Sequence, residues 1–150
     1  MVLAILSIAM AVIFYAFTAS MHIFTSEMSE ADASLEAHRA MERMTKELRG
    51  ALQIVAASGT SVTFWYSDLN GDGTREANET VTYSWTGASQ GYINRTVQTS
   101  TQEISIGIQN FLLTYNDPSP PNINLIKIFM SAQNGSTVST LESSVDCRNL

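Results

Sequence analysis

The sequence predicts an α+β fold in which one long N-terminal helix packs against an antiparallel β-sheet. No Asp, Glu, Lys or Arg precedes Glu27. From Ser26 to Ala57 the chain holds a single Gly and no Pro, so nothing in this region interrupts a helix. Beyond it, β-rich runs alternate with turn residues. We therefore expect the first half of the helix to span a membrane and its amphipathic second half to cover one face of the sheet.

Residues 1–25 form the apolar part of the predicted helix. At about 1.5 Å per residue it is roughly 37 Å long, enough to cross a hydrocarbon core of about 30 Å. A secretory signal peptide is the alternative, but it requires a basic residue ahead of the run and a shorter apolar segment. The apolar side chains spread around the whole helical wheel: Leu3, Ile5, Leu6, Ile8, Met10, Val12, Ile13, Phe14 and Phe17. This pattern predicts a helix surrounded by lipid or by other such helices.

Residues 26–57 continue the predicted helix in amphipathic form. Glu42 with Lys46, and Arg43 with Glu47, have the i,i+4 spacing of ion pairs on a solvated face. The apolar stripe expected to pack on the sheet consists of Leu35, Met41, Met44, Leu48, Leu52 and Val55. A stripe at this spacing is typical of a helix that covers a core.

Residues 58–150 form the predicted head, an antiparallel sheet of four to six strands. The short links at residues 87–91 and 100–102 favour hairpins, and the Pro-rich link at 116–122 favours an exposed loop. The runs rich in β-branched and aromatic residues cover residues 61–67, 80–85, 92–98, 103–115, 123–132 and 140–148. One face of this sheet needs cover, and the helix supplies it.

Charge and side-chain chemistry exclude several classes of function. A net charge of −6 with only eight Lys plus Arg argues against nucleic acid as a partner. The sequence has no Ser/His/Asp set, no phosphate loop and no metal site with nitrogen or sulfur ligands, so we expect no enzyme activity. Because Cys147 is the single cysteine, an intrachain disulfide is excluded and a buried small hydrophobic side chain is expected.

The layout of the chain resembles the type IV pilins and the type II secretion pseudopilins. The run MVLAILSIAMAVIFYAF is similar to the segment that follows the prepilin peptidase site, and ERMTKELRGAL resembles the second half of the family's helix. The segment FWYSDLNGDGTREANETVTYSW with the terminal RNL resembles minor pilins of the PilW and J-pseudopilin type. The resemblance implies a pilin-like fold, a methylated mature N-terminus and other pilin or pseudopilin subunits as partners through the N-terminal helix.

The N-terminus departs from the family pattern. Family members carry a short basic leader and a Glu a few residues into the mature helix, whereas this chain has no leader and has Ile5 where that Glu would lie. The similarity of the apolar run to the family's segment predicts that Met1 lies a few residues beyond the processing site. Truncation and a subunit that lacks the Glu both fit this observation.

Residues 68–79, DLNGDGTREANE, match the calcium-loop pattern D-x-[DN]-x-[DN]-G-x5-E. Oxygen ligands at this spacing favour a hard cation such as Ca²⁺. The predicted ligands are Asp68, Asn70, Asp72, Thr74, Glu76 and Glu79. The alternative is a hairpin loop held by side-chain turns of Asn and Asp, and the predicted flanking strands, where calcium-binding helix pairs have helices, favour that alternative.

These observations together predict a structural subunit of a type IV pilus or of a type II secretion pseudopilus, in a minor, tip or priming position. Before assembly the subunit is expected in the inner (cytoplasmic) membrane with its head outside the cytoplasm, and afterwards in an extracellular filament or pseudopilus. The alternative is a calcium-binding adhesion module held at a surface by a single membrane anchor.

Overall fold

The computed structural model describes the backbone of residues 2–120, 122–134 and 137–147, and the side chains of residues 10–24, 34–120, 122–133 and 138–147. Helical backbone covers α1 (Val2–Arg49). A single 3-10 turn covers Ala77–Glu79. The strands are β1 (Gln53–Ser58), β2 (Ser61–Trp65), β3 (Thr80–Trp85), β4 (Ile93–Val97), β5 (Ser100–Ser105), β6 (Ile108–Tyr115), β7 (Leu125–Asn134) and β8 (Thr137–Asp146).

The predicted fold class is wrong. In place of one long membrane-spanning helix, α1 is described with its side chains in two short helical stretches, residues 10–24 and 34–49. Within the described part of the chain, no helix is both long and apolar enough to cross a membrane. The strands form two sheets, where one was predicted.

The helix also ends earlier than predicted. α1 ends at Arg49 and β1 begins at Gln53, so the segment expected to continue as helix to residue 57 is an edge strand. The amide of Leu52 donates to the carbonyl of Trp65 at 2.8 Å, and this bond starts the ladder between β1 and β2. The apolar residues of this segment therefore belong to a strand, and their helical spacing is coincidental.

Every strand pair is antiparallel. One sheet has the order β1-β2-β3-β4-β5, and the other has the order β6-β7-β8. The run predicted as one strand over residues 103–115 is divided between the sheets, because Gly107 adopts a φ of +74° between β5 and β6. The turn between β4 and β5 lies at residues 98–99, whereas residues 100–102, predicted as a link, pair with β4.

The two sheets meet at Gly91 and Gly107. The Gly91 carbonyl accepts the amide of Ile108 at 2.9 Å, and the Gly107 carbonyl accepts the amide of Gln133 at 3.0 Å. A Cβ added to Gly91 would lie 3.2 Å from the Ile108 nitrogen, so only glycine fits this crossing without a shift. The hydroxyl of Tyr115 adds a second link when it donates to the Ser58 carbonyl at 2.8 Å.

One hydrophobic core lies between α1 and both sheets. Its largest fully buried side chains are Tyr83, Phe64, Phe111, Met44, Leu48, Ile54, Ile93, Ile108, Ile123, Ile126, Ile128 and Met130. Cys147 is buried in the same cluster, as expected of a small hydrophobic side chain. Burial, with a smaller contribution from Asp146, raises the pKa of the Cys147 thiol to about 11, so the thiol is protonated at neutral pH.

Candidate functional sites

The large apolar side chains of residues 10–24 are exposed. This helical stretch is termed the exposed stretch below. Their exposed fractions run from 51% at Met21 to 76% at Tyr15. The hydroxyl of Thr18 donates to the carbonyls of Phe14 and Tyr15 at 3.0 and 2.9 Å, so this polar group is turned back onto its own helix. The exposed surface of this stretch is therefore mainly apolar.

Five of the predicted assembly residues lie on this surface, and the others lie outside the described side chains. Met10, Val12, Ile13, Phe14 and Phe17 are each more than 60% exposed. No side-chain description covers Leu3, Ile5, Leu6 and Ile8. The described head covers none of the five, and contiguous exposed apolar surface of this kind is typical of interfaces with protein or lipid.

The helical stretch of residues 34–49, termed the packed stretch below, has the opposite character. Met41, Met44 and Leu48 of the predicted stripe are buried, whereas Leu35 is 46% exposed. The remaining predicted members fall outside the helix: Leu52 lies in the link to β1, Val55 lies in β1, and both are partly buried. The buried face also contains Ala37 and Ala40, which sequence reasoning missed although their spacing from Met41 and Met44 is helical.

Glu47 fixes the packed stretch to the larger sheet. Its carboxylate accepts bonds from Tyr83 Oη at 2.8 Å and from Arg95 Nε at 2.9 Å, and Arg43 Nε lies 3.2 Å away. Burial, followed by the charge of Glu47, raises the pKa of the Tyr83 hydroxyl well above its usual range. The predicted pair Arg43–Glu47 is therefore present, and it belongs to a larger cluster than the i,i+4 spacing indicated.

The second predicted pair, Glu42 with Lys46, is absent from the ion pairs of the described residues. Both side chains are exposed on the face of the packed stretch that lies beside β8. Two opposite charges one helical turn apart therefore remain available to another molecule.

The predicted calcium loop is organised by its own hydrogen bonds. Asp68 accepts the amides of Gly71 and Gly73 at 2.7 and 2.9 Å. Asp72 Oδ1 accepts the Thr74 amide at 2.7 Å, and this bonding to the Thr74 side chain and backbone lowers the pKa of the Asp72 carboxyl. Asn70 Oδ1 accepts the amide of Asp72 at 3.1 Å. The side-chain turns expected of the alternative interpretation are therefore all made.

Glu79, the predicted closing ligand, is buried beneath the loop, with 1% of its surface exposed. Its Oε1 accepts the amide of Leu69 at 2.7 Å, and its Oε2 accepts the indole N–H of Trp65 at 3.2 Å and the amide of Glu76 at 3.2 Å. Three donors satisfy a carboxylate that burial would otherwise destabilise. Glu79 thus joins both ends of the loop to β2.

The predicted ligands of the loop differ in their exposure to solvent. Asn70, Asp72, Thr74 and Glu76 are exposed, Asp68 is partly buried, and Glu79 lies inside. Among the described residues, no three His, Cys, Asp or Glu side chains form a group that could hold a metal ion. Calcium binding by this loop stays a prediction.

None of the protein-family models, curated proteins and solved structures that were compared with the chain matches it.

Proposed function

We propose that the chain is a pilin-like structural subunit of a type IV pilus or a type II secretion pseudopilus, assembled through its apolar N-terminal helical region. The observation that carries this proposal is the exposed stretch, whose large apolar side chains are all more than half exposed. The head needs none of them, because its core is filled by the packed stretch and the two sheets.

In the proposed assembly, the exposed stretch exchanges contacts with lipid for contacts with the helices of other copies. Because lipid tails are as apolar as these side chains, the free energy that favours assembly comes from close van der Waals packing between the helices. Other copies of the same helical region provide a matching apolar surface. Before assembly, lipid of the inner membrane is the proposed cover, and an extracellular filament or pseudopilus is the proposed end state.

Electron microscopy and shear fractionation of the source cells test the proposal. We expect the chain in filaments or at their tips. Ile13→Asn combined with Phe17→Asn should remove it from filaments and leave the melting temperature of the head unchanged, because these side chains do not contact the core. Leu35→Asn is the matched control, since Leu35 is an exposed apolar residue on the other stretch. Recovery of the wild-type chain only as a detergent-extracted monomer would contradict the proposal.

A second candidate is a surface-held adhesion module whose loop at residues 68–79 binds Ca²⁺. Supporting it, Gly73 has a φ of +72° at the position where the pattern requires a sharp turn. Calorimetric titration of the full chain with Ca²⁺ tests it. Binding should release or absorb heat and raise the melting temperature, and Asp72→Ala should abolish both effects. Thr80→Ala, next to the loop, is the control. The absence of heat with the wild-type chain would exclude this candidate.

A further inference from the structure

β8 differs from the other edge strands of the two sheets. β1, β5 and β6 each contain one unpaired extra residue: Val55, Ile104 and Gln109, respectively. Such bulges commonly prevent an edge from pairing with another chain. β8 has ten residues and an uninterrupted register with β7. It is therefore the edge best suited to receive another strand.

The register shows which groups of β8 point outward. The amide of Cys147 donates to the Asn124 carbonyl at 2.8 Å, so this pair is a hydrogen-bonded one. Bonded and non-bonded pairs alternate along an antiparallel ladder. Thr140, Glu142 and Ser144 consequently direct their N–H and C=O groups away from β7, and no described residue bonds to those groups. This edge can receive a further strand.

The packed stretch runs beside this edge in the same direction as β8. Ser34 Oγ lies 3.5 Å from Ser139 Oγ, and Thr45 Oγ1 lies 3.3 Å from Ser143 Oγ. Between helix and strand is an open cleft of about 850 Å³. Glu42 and Lys46 line the cleft and make no ion pair with any described residue. An added strand would therefore lie under one acidic and one basic side chain.

We propose that the outer edge of β8 pairs with the same edge of a second copy, antiparallel and related by a two-fold axis. A two-fold axis level with Met44, next to the contact between Thr45 and Ser143, reverses the order of charges along the helix, so Glu42 of each copy faces Lys46 of the other. The charge pattern of the cleft is thus complementary to itself. Such an interface requires an acidic and a basic side chain one helical turn apart. Glu42 and Lys46 meet this requirement, because neither makes an ion pair with a described residue.

The backbone fixes the register of the pair. Outward-pointing residues must face one another, which allows a two-fold axis at Glu142 or at Ser143. An axis at Glu142 would place two carboxylates directly opposite, which is destabilising. The axis at Ser143 sets Glu142 against Ser144 of the second copy and Thr140 against Asp146.

One strand edge and one helix face per copy form a small interface, so the pairing is weak and depends on concentration. Because the packed stretches of the two copies run antiparallel, the paired form is separate from the proposed filament and from two copies inserted side by side in one membrane.

Disulfide trapping tests the pairing in the full chain held in mild detergent. In this register Ser143 faces its own copy in a non-hydrogen-bonded pair, with a Cα separation of about 4.5 Å, within the range for a disulfide. Ser143→Cys should therefore cross-link rapidly on oxidation. Thr140→Cys is the control, because it is more exposed but lies far from its own copy in this register. Wild-type chain, with its buried Cys147, gives the baseline.

Charge exchange in the Ser143→Cys background gives an independent readout. Glu42→Lys alone, or Lys46→Glu alone, should lower the cross-linking rate about fivefold, because like charges then meet at both symmetric positions. The double variant Glu42→Lys/Lys46→Glu should restore the rate, since the reversed pattern is again complementary to itself. Equal rates for Ser143→Cys and Thr140→Cys, or a double variant as slow as the single ones, would overturn the proposal. So would slow amide exchange along β8 without cross-linking, because a different chain would then occupy the edge. None of these readouts depends on filament formation.

Discussion

The two described helical stretches of this chain have similar lengths and opposite surroundings. Residues 34–49 bury Ala37, Met44 and Leu48 completely, whereas residues 10–24 leave every large apolar side chain more than half exposed. The packed stretch carries charges on the faces that leave the core, and these charges fix its orientation. The exposed stretch has no charged residue, so nothing marks a solvent face. One stretch stabilises the head, and the other is available to other molecules.

Truncation of a core residue should separate the two stretches most clearly. Leu48 is fully buried, so Leu48→Ala removes apolar contacts and leaves a cavity. We expect the free energy of unfolding of the head to fall by about 2–5 kcal/mol. Phe17→Ala removes a larger side chain from the exposed stretch and should change that free energy by less than about 0.5 kcal/mol. Urea unfolding followed by tryptophan fluorescence measures both. Equal losses in the two variants would mean that the exposed stretch also packs on the head.

The polar anchor of the packed stretch should have the next largest effect. Glu47→Gln removes the charge that pairs with Arg95 and weakens the bond from Tyr83. Hydrogen bonds to charged groups contribute about 1.5–3 kcal/mol, so we expect a loss of about 2 kcal/mol. The matched control is Glu36→Gln, since Glu36 on the same helix makes no ion pair among the described residues. If the two variants unfold at the same urea concentration, Glu47 does not anchor the helix.

The sequence predicted the parts of the fold that depend on local pattern. It placed the packed stretch, the β-rich head and the pair Arg43–Glu47, because helical spacing and β-propensity act over a few residues. The prediction from sequence failed where contacts between distant parts of the chain determine the secondary structure. The segment around Val55 has helical spacing, but pairing with β2 makes it a strand. The division into two sheets follows from Gly107 and its close approach to β7, which no periodicity reveals.

The candidate sites show the same limit. The exposed stretch follows directly from the absence of charge before Glu27. The loop pattern at residues 68–79 did not indicate that Glu79 would be buried, with its carboxylate accepting the indole N–H of Trp65. Short motifs specify residue types, and the tertiary structure decides whether those residues point to one centre.

The smallest expected effect is the dependence of stability on alkaline pH, which comes from Tyr83 of β3, the partner of Glu47 on the packed stretch. Burial raises the pKa of Tyr83 above its ordinary value near 10.0, so the folded head keeps this proton at a pH where the unfolded chain loses it. A group with a raised pKa in the folded state contributes its full stability below the unfolded pKa and loses it as the pH rises. The loss of stability therefore begins near pH 10. Above that pH, the free energy of unfolding should fall by up to about 1.4 kcal/mol per pH unit for this one group.

Tyr83→Phe and Tyr15→Phe test this difference as a matched pair. Tyr83→Phe lowers stability at neutral pH, since the bond to Glu47 is lost, but it should flatten the decline between pH 9.5 and 11. Tyr15, which is 76% exposed on the exposed stretch, should give the wild-type curve when changed to Phe. Tyr115 is partly buried, and this burial raises the pKa of its hydroxyl, so part of the decline should remain in Tyr83→Phe. Parallel alkaline curves for Tyr83→Phe and the wild type would show that Tyr83 does not keep its proton. The description of Tyr83 as a buried hydroxyl bonded to Glu47 would then be wrong.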